Sequence, residues 1–332
     1  MPSTPTAQHR RQLARLARAH YMDGLSKVQI ADAFGLSRFQ VARMLQEAMD
    51  AGVVTISIEA DTFADDDHGA QLAEALGLAA VTIVPTPAGE VAQAMGRAAL
   101  ARVESLARPG MRIGLSWSRT LDAAAAYAPA LPRCTVVQLA GALRLQSSPR
   151  PTTGIFERLG QDQAVHLIRL PAPLLVTETE TATDLCALPE ITDTLEAADN
   201  LDLALVSVGA WGEGLSSVWA KCEPTVRERA ADQGAVAEVS GRLIGEDGVS
   251  VSTIDDRVIA VTADQLRAAG TTLGVAHGPD RADAVRAAAD AGLLDHIIID
   301  EPLAAALLAE LGSAPTEPAS SADTDSTSME ES

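Results

Sequence analysis

Apolar residues follow two different rhythms along this chain, and the change comes near residue 60. Before it they recur three and four positions apart, which predicts amphipathic helices. We expect one helix over residues 10–22, a second between Ser26 and Gly35, and a third from Ser37 to about residue 50, before Gly52. Serine caps helix starts, and glycine favours the left-handed conformation that ends helices, so these boundaries have a local cause.

The stretch VVTISIEA, which begins at Val53, alternates between two faces and is rich in β-branched residues. That pattern predicts a strand. Three helices followed by a strand are typical of a winged helix. The polar, acidic residues 61–69 are then expected to form a linker.

Beyond the linker, short apolar runs alternate with alanine-rich stretches of helical character. Most runs are continuously apolar, as expected for strands that are covered on both faces. We predict strands at 79–85, 111–116, 134–141, 202–210, 257–262, 271–277 and 295–300. The alternation of strands and helices indicates an α/β fold around a mostly parallel sheet, of Rossmann-like type.

The chain therefore divides into three parts. Residues 1–60 form a helical unit, residues 61–312 form an α/β body, and residues 313–332 form a tail. The tail contains five acidic residues, no basic residue and no aromatic residue, and is expected to be disordered.

The amino-acid composition leaves the predicted fold unchanged but bears on cofactors and cellular location. The chain has 332 residues, of which 47% are hydrophobic and 21% charged, as in an ordinary globular protein. Its three cysteines are far apart and form no CxxC pair, so we expect neither a disulfide scaffold nor a metal site, and no other cofactor. The first 15 residues lack the apolar segment of a secretion signal, and no run approaches the roughly 18 to 20 apolar residues that span a bilayer. A cytoplasmic protein is the expectation.

The net charge of −20 is unevenly distributed. Residues 1–50 contain seven basic and four acidic residues, a net charge of +3, which leaves −23 for the remainder. A polyanion would therefore be repelled by the body and accepted only by the N-terminal unit.

The second and third helices have the spacing of a helix-turn-helix. Ala31 lies four residues before Gly35, where two helices that cross steeply need small side chains and a tight turn. Leu36 is expected to fill the space between the helices. Val28, Ile30 and Phe34 supply apolar positions on the second helix, and Val41, Met44 and Leu45 supply them on the third.

The opposite face of the third helix presents polar side chains. Arginine pairs with guanine and glutamine with adenine, so Arg38 and Gln40 could reach base edges, while Arg43 could serve bases or backbone. Phosphate contacts are expected from Arg10, Arg11 and Lys27, and from backbone amides at the helix start. The predicted DNA-contacting set is Lys27, Ser37, Arg38, Phe39, Gln40 and Arg43. The alternative is an ordinary three-helix bundle with solvated charged faces.

Several stretches in a fixed order make the chain similar to the SorC family of bacterial transcriptional regulators. They include YMDGLSKVQIADAFGLSRFQVARMLQEAMDAGVVTISI, RPGMRIGLSWSRTL, VVQLAGAL, DLALVSVGAWGEG and VAHGPDRADAVRAAADAGLLDHIIIDEPLAAALL. The resemblance implies an operator-binding dimer or tetramer, a palindromic double-stranded DNA site and a phosphorylated sugar or polyol as effector. It also implies a body that resembles glucosamine-6-phosphate deaminase and ribose-5-phosphate isomerase.

The stretch GLSWSRTL follows a predicted strand and opens a helix, the place where α/β sheets bind ligands. Its glycine permits close backbone approach, its hydroxyls can donate and accept, and its arginine adds a charge. The resemblance implies that this loop holds the ligand phosphate. Its candidate residues are Gly114, Ser116, Trp117, Ser118, Arg119 and Thr120. A plain strand–helix turn with capping hydroxyls is the alternative.

Four further candidates follow or precede predicted strands. Gly141 and Gly209 could line the same crevice, although either could simply form a turn. Asp255 or Asp256 could accept hydrogen bonds from two sugar hydroxyls. A solvated pair between an aspartate and Arg257 is an equally good interpretation.

The stretch HGPDRADAV also follows a predicted strand. The family often has two glycines and a lysine here, whereas this chain has His277, Gly278 and Arg281. Arginine keeps the charge and can bind phosphate through two hydrogen bonds, but it removes a lysine that could form a Schiff base. Asp300 and Glu301 could rim the pocket or merely cap the last helix, and His277 could be an ordinary loop histidine.

Three classes of function are then open. A ligand-controlled repressor or activator accounts for both parts of the chain. A sugar-phosphate isomerase with an appended DNA-binding unit would need a poised base, and no pair of candidate acids or histidines has a diagnostic spacing. A purely architectural DNA binder would leave the body without a role.

Overall fold

The structure is a computed structural model that describes residues 7–21, 25–50, 53, 66–86, 89–144 and 154–313. The chain forms two compact units, Met1–Asp61 and Thr62–Ser332. Most of the strand predicted from Val53, the first part of the predicted linker and nearly all of the predicted tail lie outside the described residues.

The N-terminal unit contains helices α1 (Ala7–Tyr21), α2 (Lys27–Phe34) and α3 (Arg38–Asp50). Ser26 caps α2 through a capping box with Gln29, and Gly35 ends α2 with φ of 65°. The apolar positions that face inward form one cluster: Leu13, Leu16, Ala17, Ala19, Ile30, Ala31, Val41, Met44, Leu45 and Ala48. The prediction that Val28 packs inward is wrong, since this side chain is 53% exposed.

The body is an α/β unit, as predicted. Its described strands are β1 (Ala80–Val84), β2 (Arg112–Leu115), β3 (Cys134–Gln138), β4 (Val165–Ile168), β5 (Leu203–Ala210), β6 (Ala235–Val239), β7 (Arg242–Gly245), β8 (Ser250–Val251), β9 (Thr272–Val275) and β10 (His296–Asp300). Its described helices are α4 (Asp66–Ala75), α5 (Val91–Leu106), α6 (Arg119–Ala123), α7 (Gly154–Leu159), α8 (Thr179–Cys186), α9 (Pro189–Glu196), α10 (Pro224–Asp232), α11 (Ala263–Arg267), α12 (Ala282–Asp290) and α13 (Glu301–Ser313).

The main sheet has the strand order β1-β10-β9-β5-β2-β3-β4, and every pair along it is parallel. The last residues of β5 also pair with β6, which continues as an antiparallel extension through β7 and β8. In the main sheet, the strand that follows β2 in the chain is β3, on one side of β2. The strand that follows β5 in this sheet is β9, which lies on the opposite side. Strands β2 and β5 therefore flank a switch point, where sheets of this type bind ligands beyond their carboxyl ends.

The sheet is buried on both faces, which explains its continuous apolar runs. On β10, Ile298 belongs to one apolar cluster, while Ile297 and Ile299 belong to another. Successive strand residues point to opposite faces, so the two clusters cover the two sides of the sheet. Helix α5 contributes to the first cluster through Met95, and α12 to the second through Val285.

One predicted strand is not found. Asp255–Arg257 form a 3-10 turn, and the residues after it make only isolated bridges, between Val258 and Leu175 and between Ala260 and Ala140. Because these bridges join two different segments, they do not continue into a ladder. Strands β4, β6, β7 and β8 were not predicted. Strand β8 has only two residues, whereas β6 has an alternating pattern that could have indicated a strand.

Among the described helices, none is long and apolar enough to cross a membrane. Within the same residues, no group of three or more His, Cys, Asp or Glu side chains is arranged to hold a metal ion.

Candidate functional site

A cavity of about 340 Å³ lies at the carboxyl ends of β2, β5 and β9, three neighbouring strands of the main sheet. Its wall is completed by the end of β6 and the turn that follows it. The lining includes eight of the residues singled out in the sequence: Ser116, Trp117, Ser118, Arg119, Thr120, Gly209, His277 and Arg281. These residues come from three loops and strand ends that are far apart in the chain.

The loop after β2 contributes three of the six hydroxyl-bearing residues in the lining. Ser118 caps α6 by accepting a hydrogen bond from the backbone N–H of Leu121 at 3.0 Å. Ser116 and Thr120 are buried. The indole N–H of Trp117 donates to the carbonyl oxygen of Gly141 at 2.6 Å, which holds this ring as part of the wall.

Two guanidinium groups face the cavity without a carboxylate partner. Arg119 donates to the carbonyl oxygen of Gly214 at 2.9 Å, and Arg281 donates to that of His277 at 2.7 Å. Within the described residues neither arginine forms an ion pair. This part of the cavity therefore carries positive charge that Asp280 and Asp300, which act on Arg281 without forming an ion pair, offset only in part.

The positively charged groups in this part of the cavity repel one another. Burial and the neighbouring Arg119 lower the pKa of Arg281. Burial also lowers the pKa of His277, with Arg281 acting in the same direction and Asp300 opposing it. We therefore expect His277 to be neutral at physiological pH, when the two arginines carry the charge.

The other wall holds a carboxyl group, that of Glu238 on β6. Its oxygens accept hydrogen bonds from the backbone N–H of Gly241 at 2.6 Å and from the hydroxyl of Ser216 at 3.2 Å. Burial raises the pKa of Glu238, and these two donors only partly offset that rise. Glu238 was not among the predicted site residues, although an acid within the apolar stretch AVAEV could have indicated it.

Serine hydroxyls also line the cavity. Ser240 has φ of 53° and is followed by Gly241 with φ of 86°, as in the tight turn of a β-hairpin. This turn lets the Ser240 hydroxyl donate to that of Ser116 at 3.0 Å. Ser207 also lines the cavity, and its buried hydroxyl oxygen has no hydrogen-bond partner within the described residues.

Three predicted glycines are not part of the cavity lining. A Cβ atom on Gly114 would lie 2.7 Å from Leu139, so this glycine serves close packing beneath the site. Gly141 lies against the backbone of Pro173. Gly278 has φ of 87° and donates its N–H to Asp300 at 2.9 Å, which shapes the loop that carries Arg281.

The four predicted acids also lie outside the lining. Asp255 pairs with Arg242 at 3.3 Å, and Asp256 pairs with Arg257 at 3.6 Å. Asp300 is buried and accepts from the N–H of Leu303 at the start of α13, as well as from Gly278. Glu301 is an exposed residue in the first turn of α13.

Replacing Glu238 by glutamine is expected to change how stability depends on pH. Because the folded protein raises the pKa of this carboxyl, the folded state binds its proton more tightly than the unfolded state. That stabilisation is complete below the ordinary glutamate pKa and is lost as pH rises through the raised value. We expect the melting temperature of Glu238→Gln to fall less than that of the wild type across this range. Parallel pH profiles for the two proteins would contradict the prediction.

In the N-terminal unit the predicted DNA-contacting residues all lie on the surface. The exposed set is Lys27, Ser37, Arg38, Phe39, Gln40 and Arg43. Ser37 accepts from the N–H of Gln40 at 3.2 Å, and the side-chain oxygen of Gln40 accepts from the N–H of Ser37 at 2.8 Å. This reciprocal pair is a capping box at the start of α3. The side chains of Arg10 and Arg11 lie outside the described part of the chain.

The two units thus offer different chemistry. One has an exposed helix face with two arginines, suited to a polyanion. The other has a cavity whose lining combines two guanidinium groups without an ion-pair partner, a carboxyl group and serine hydroxyls. A small ligand with an anionic group and several hydroxyl groups would complement it.

Comparison with known proteins gives matches over most of the chain. The family model described as "Putative sugar-binding domain" matches residues 61–309. The transcriptional regulator LsrR of Enterobacter sp. (strain 638) is 26% identical over 307 residues, which cover 90% of this chain and 93% of that protein. LsrR of Escherichia coli (strain K12) is 26% identical over 304 residues, covering 90% and 94%.

Solved structures show the same fold. The full-length sorbitol operon regulator SorC from Klebsiella pneumoniae aligns with a TM-score of 0.64 and 21% identity, over 91% of this chain and 100% of that one. A DeoR family transcriptional regulator from Listeria monocytogenes aligns with a TM-score of 0.64 and 25% identity, over 73% and 98%.

Proposed function

We propose, from the premise that this chain belongs to the SorC family of transcriptional regulators with a sugar-binding domain, that it controls a carbohydrate operon. It binds operator DNA through α2 and α3, and a sugar or polyol effector in the cavity of its body. Effector binding changes the affinity for the operator. The relatives are regulators rather than enzymes, which favours this function over an isomerase with an appended DNA-binding unit.

The effector proposal depends on two guanidinium groups, those of Arg119 and Arg281, which line the cavity without forming an ion pair in the described part of the chain. Arg119 and Arg281 each donate only to backbone carbonyl oxygens, and the positive charge of Arg119 helps to lower the pKa of Arg281. An anionic group placed between them would remove that repulsion and form charge-assisted hydrogen bonds. A phosphate group suits them because each guanidinium can donate two parallel hydrogen bonds to its oxygens. The effector is therefore phosphorylated.

The remainder of the effector is a chain or ring of hydroxyl groups. Glu238 offers carboxyl oxygens in the cavity wall, and Ser207 and other serines line the same cavity. A carboxyl group can accept hydrogen bonds from two neighbouring hydroxyl groups. Glu238 therefore selects sugars by the configuration of their hydroxyl groups. The cavity of about 340 Å³ is within the range of small-molecule sites.

The operator contacts come from the exposed face of α3. Arg38 is exposed at the start of α3, Arg43 is exposed in its second turn, and Lys27 is exposed at the start of α2. The first 50 residues carry a net charge of +3 in a chain of −20, so DNA approaches this unit rather than the body. As a homodimer or homotetramer the protein would present two such helices to a palindromic site. Its place is the cytoplasm, where operator DNA lies.

Gel shifts or fluorescence anisotropy with the full chain test this function. An operator is first selected from a random double-stranded DNA library, and its affinity is then measured with a panel of sugar phosphates and their unphosphorylated forms. We expect at least one phosphorylated member to change the affinity by about 5- to 150-fold, the range of typical couplings. Inorganic phosphate and the free sugar serve as controls. Failure to select any DNA, or the absence of an effect from every member, contradicts the proposal.

A further inference from the structure

The most exposed large apolar side chain of the described residues is that of Phe39, at 86%. It is the second residue of α3, whose inward side chains Val41, Met44 and Leu45 are buried. An exposed phenylalanine forgoes the stabilisation that burial would provide. Among the described residues of the unit, Phe39 neither belongs to the apolar cluster that holds the three helices together nor packs against it.

The neighbours of Phe39 form the cationic face of the same helix. Arg43 lies one turn further along, and Arg38 precedes it; both are exposed. Residues four apart share one face of a helix, so Phe39 and Arg43 address the same surface. A polyanion that binds the arginines therefore covers the phenylalanine ring as well, which identifies double-stranded DNA as the occupant.

The capping box changes what the first turn of α3 can read. The side-chain oxygen of Gln40 accepts from the backbone of Ser37 at 2.8 Å, which turns it towards the helix start. Bidentate recognition of adenine would need that oxygen to face outward. Phe39 is then the apolar side chain that the first turn of α3 presents to base edges. In the sequence it lies between Arg38 and Arg43, whose side chains favour guanine or phosphate.

The major groove exposes one apolar group, the C5-methyl of thymine. We propose that the ring of Phe39 contacts this methyl group at one thymine in each operator half-site and so selects for thymine there. The proposal rests on the DNA-binding function proposed above. Phe39 is a specificity-determining residue in this role, while Arg38 and Arg43 supply most of the affinity.

Uracil substitution tests the contact without altering the protein. Operators are selected with the full chain from a random library, with and without a sugar-phosphate mixture, and each thymine is replaced in turn by deoxyuridine, which lacks only the methyl group. We expect one position per half-site at which uracil raises Kd about fourfold, the factor for one buried methyl group. Other thymines should tolerate uracil within about 1.5-fold.

Phe39→Ala should raise Kd about tenfold on the thymine operator and show no further loss with uracil at that position. Phe39→Leu should keep part of the uracil effect. Val28→Ala, which removes another exposed apolar side chain from the unit, should keep all of it. If no DNA is selected, the DNA-binding function itself fails. If DNA is bound but no thymine is conserved, no uracil position matters, or Phe39→Ala keeps the uracil effect, the function stands and this inference is overturned.

Discussion

Replacing Arg281 by alanine is expected to weaken binding of the selected sugar phosphate by about 10- to 100-fold, with operator binding by the effector-free protein unchanged. Hydrogen bonds to charged groups are worth about 1.5–3 kcal/mol, which corresponds to this range. Arg281 is half-buried and donates to two backbone carbonyl oxygens, so its guanidinium is held in place before the ligand arrives. Calorimetric titration of the full chain measures the loss.

Variants at the same and other positions sharpen this test. Arg281→Lys keeps the charge but loses the paired hydrogen bonds, so it should bind more weakly than the wild type and more tightly than alanine. Arg119→Ala should also weaken binding, and the double variant should lose less than the product of the two single effects, because both groups act on one anion. Arg229→Ala, on the exposed side of α10, is the matched control. If Arg281→Ala bound the sugar phosphate with wild-type affinity, the anion would have to bind at another place in the protein.

The double variant Arg38→Ala, Arg43→Ala is expected to lower operator affinity by about 100-fold or more. A specific arginine–base contact is worth about 1–3 kcal/mol, and a phosphate contact adds a salt-dependent contribution. Both side chains are exposed on α3, so their removal should leave the fold of the unit intact. Anisotropy between 50 and 200 mM salt measures the change, with circular dichroism as the check on folding.

The two arginines should differ in kind. If Arg38 contacts a guanine, Arg38→Ala relaxes the sequence preference at one base pair. If Arg43 contacts a phosphate, Arg43→Ala lowers the magnitude of the salt slope by about one. Arg18→Ala, on the exposed side of α1, removes a charge from the same unit and should leave the sequence preference unchanged. Wild-type affinity in the double variant would exclude this face of α3 from the interface.

Much of the fold follows from short-range patterns. The caps at Ser26 and Ser37 act on residues three positions away, so the starts of α2 and α3 could be predicted. The long apolar run that became β5 could be predicted because both faces of that strand are buried. The hairpin of β6 and β7 was missed because it is an antiparallel extension of the parallel sheet and lies outside the alternation of strands and alanine-rich helices that indicated the other strands.

The candidate cavity could be predicted only in part. The loops after β2 and β9 were singled out because ligands bind at strand ends, and both line the cavity. Asp255 and Asp256 have the right chemistry, yet nearby arginines hold them outside it. Glu238 was missed because its importance depends on which strand lies beside β5, a pairing between residues far apart in the chain.

By itself the sequence determined the helix ends of the N-terminal unit, the α/β class of the body and the separation of a basic unit from an acidic one. These properties depend on residues a few positions apart or on composition, so they are legible without a structure. Only the tertiary structure decided that Arg119, Arg281 and Glu238 face one cavity, and that Asp300 supports a loop instead of lining the site. The physical reason is that strand order brings distant strand ends together, and burial and pairing then decide which polar side chains stay available to a ligand.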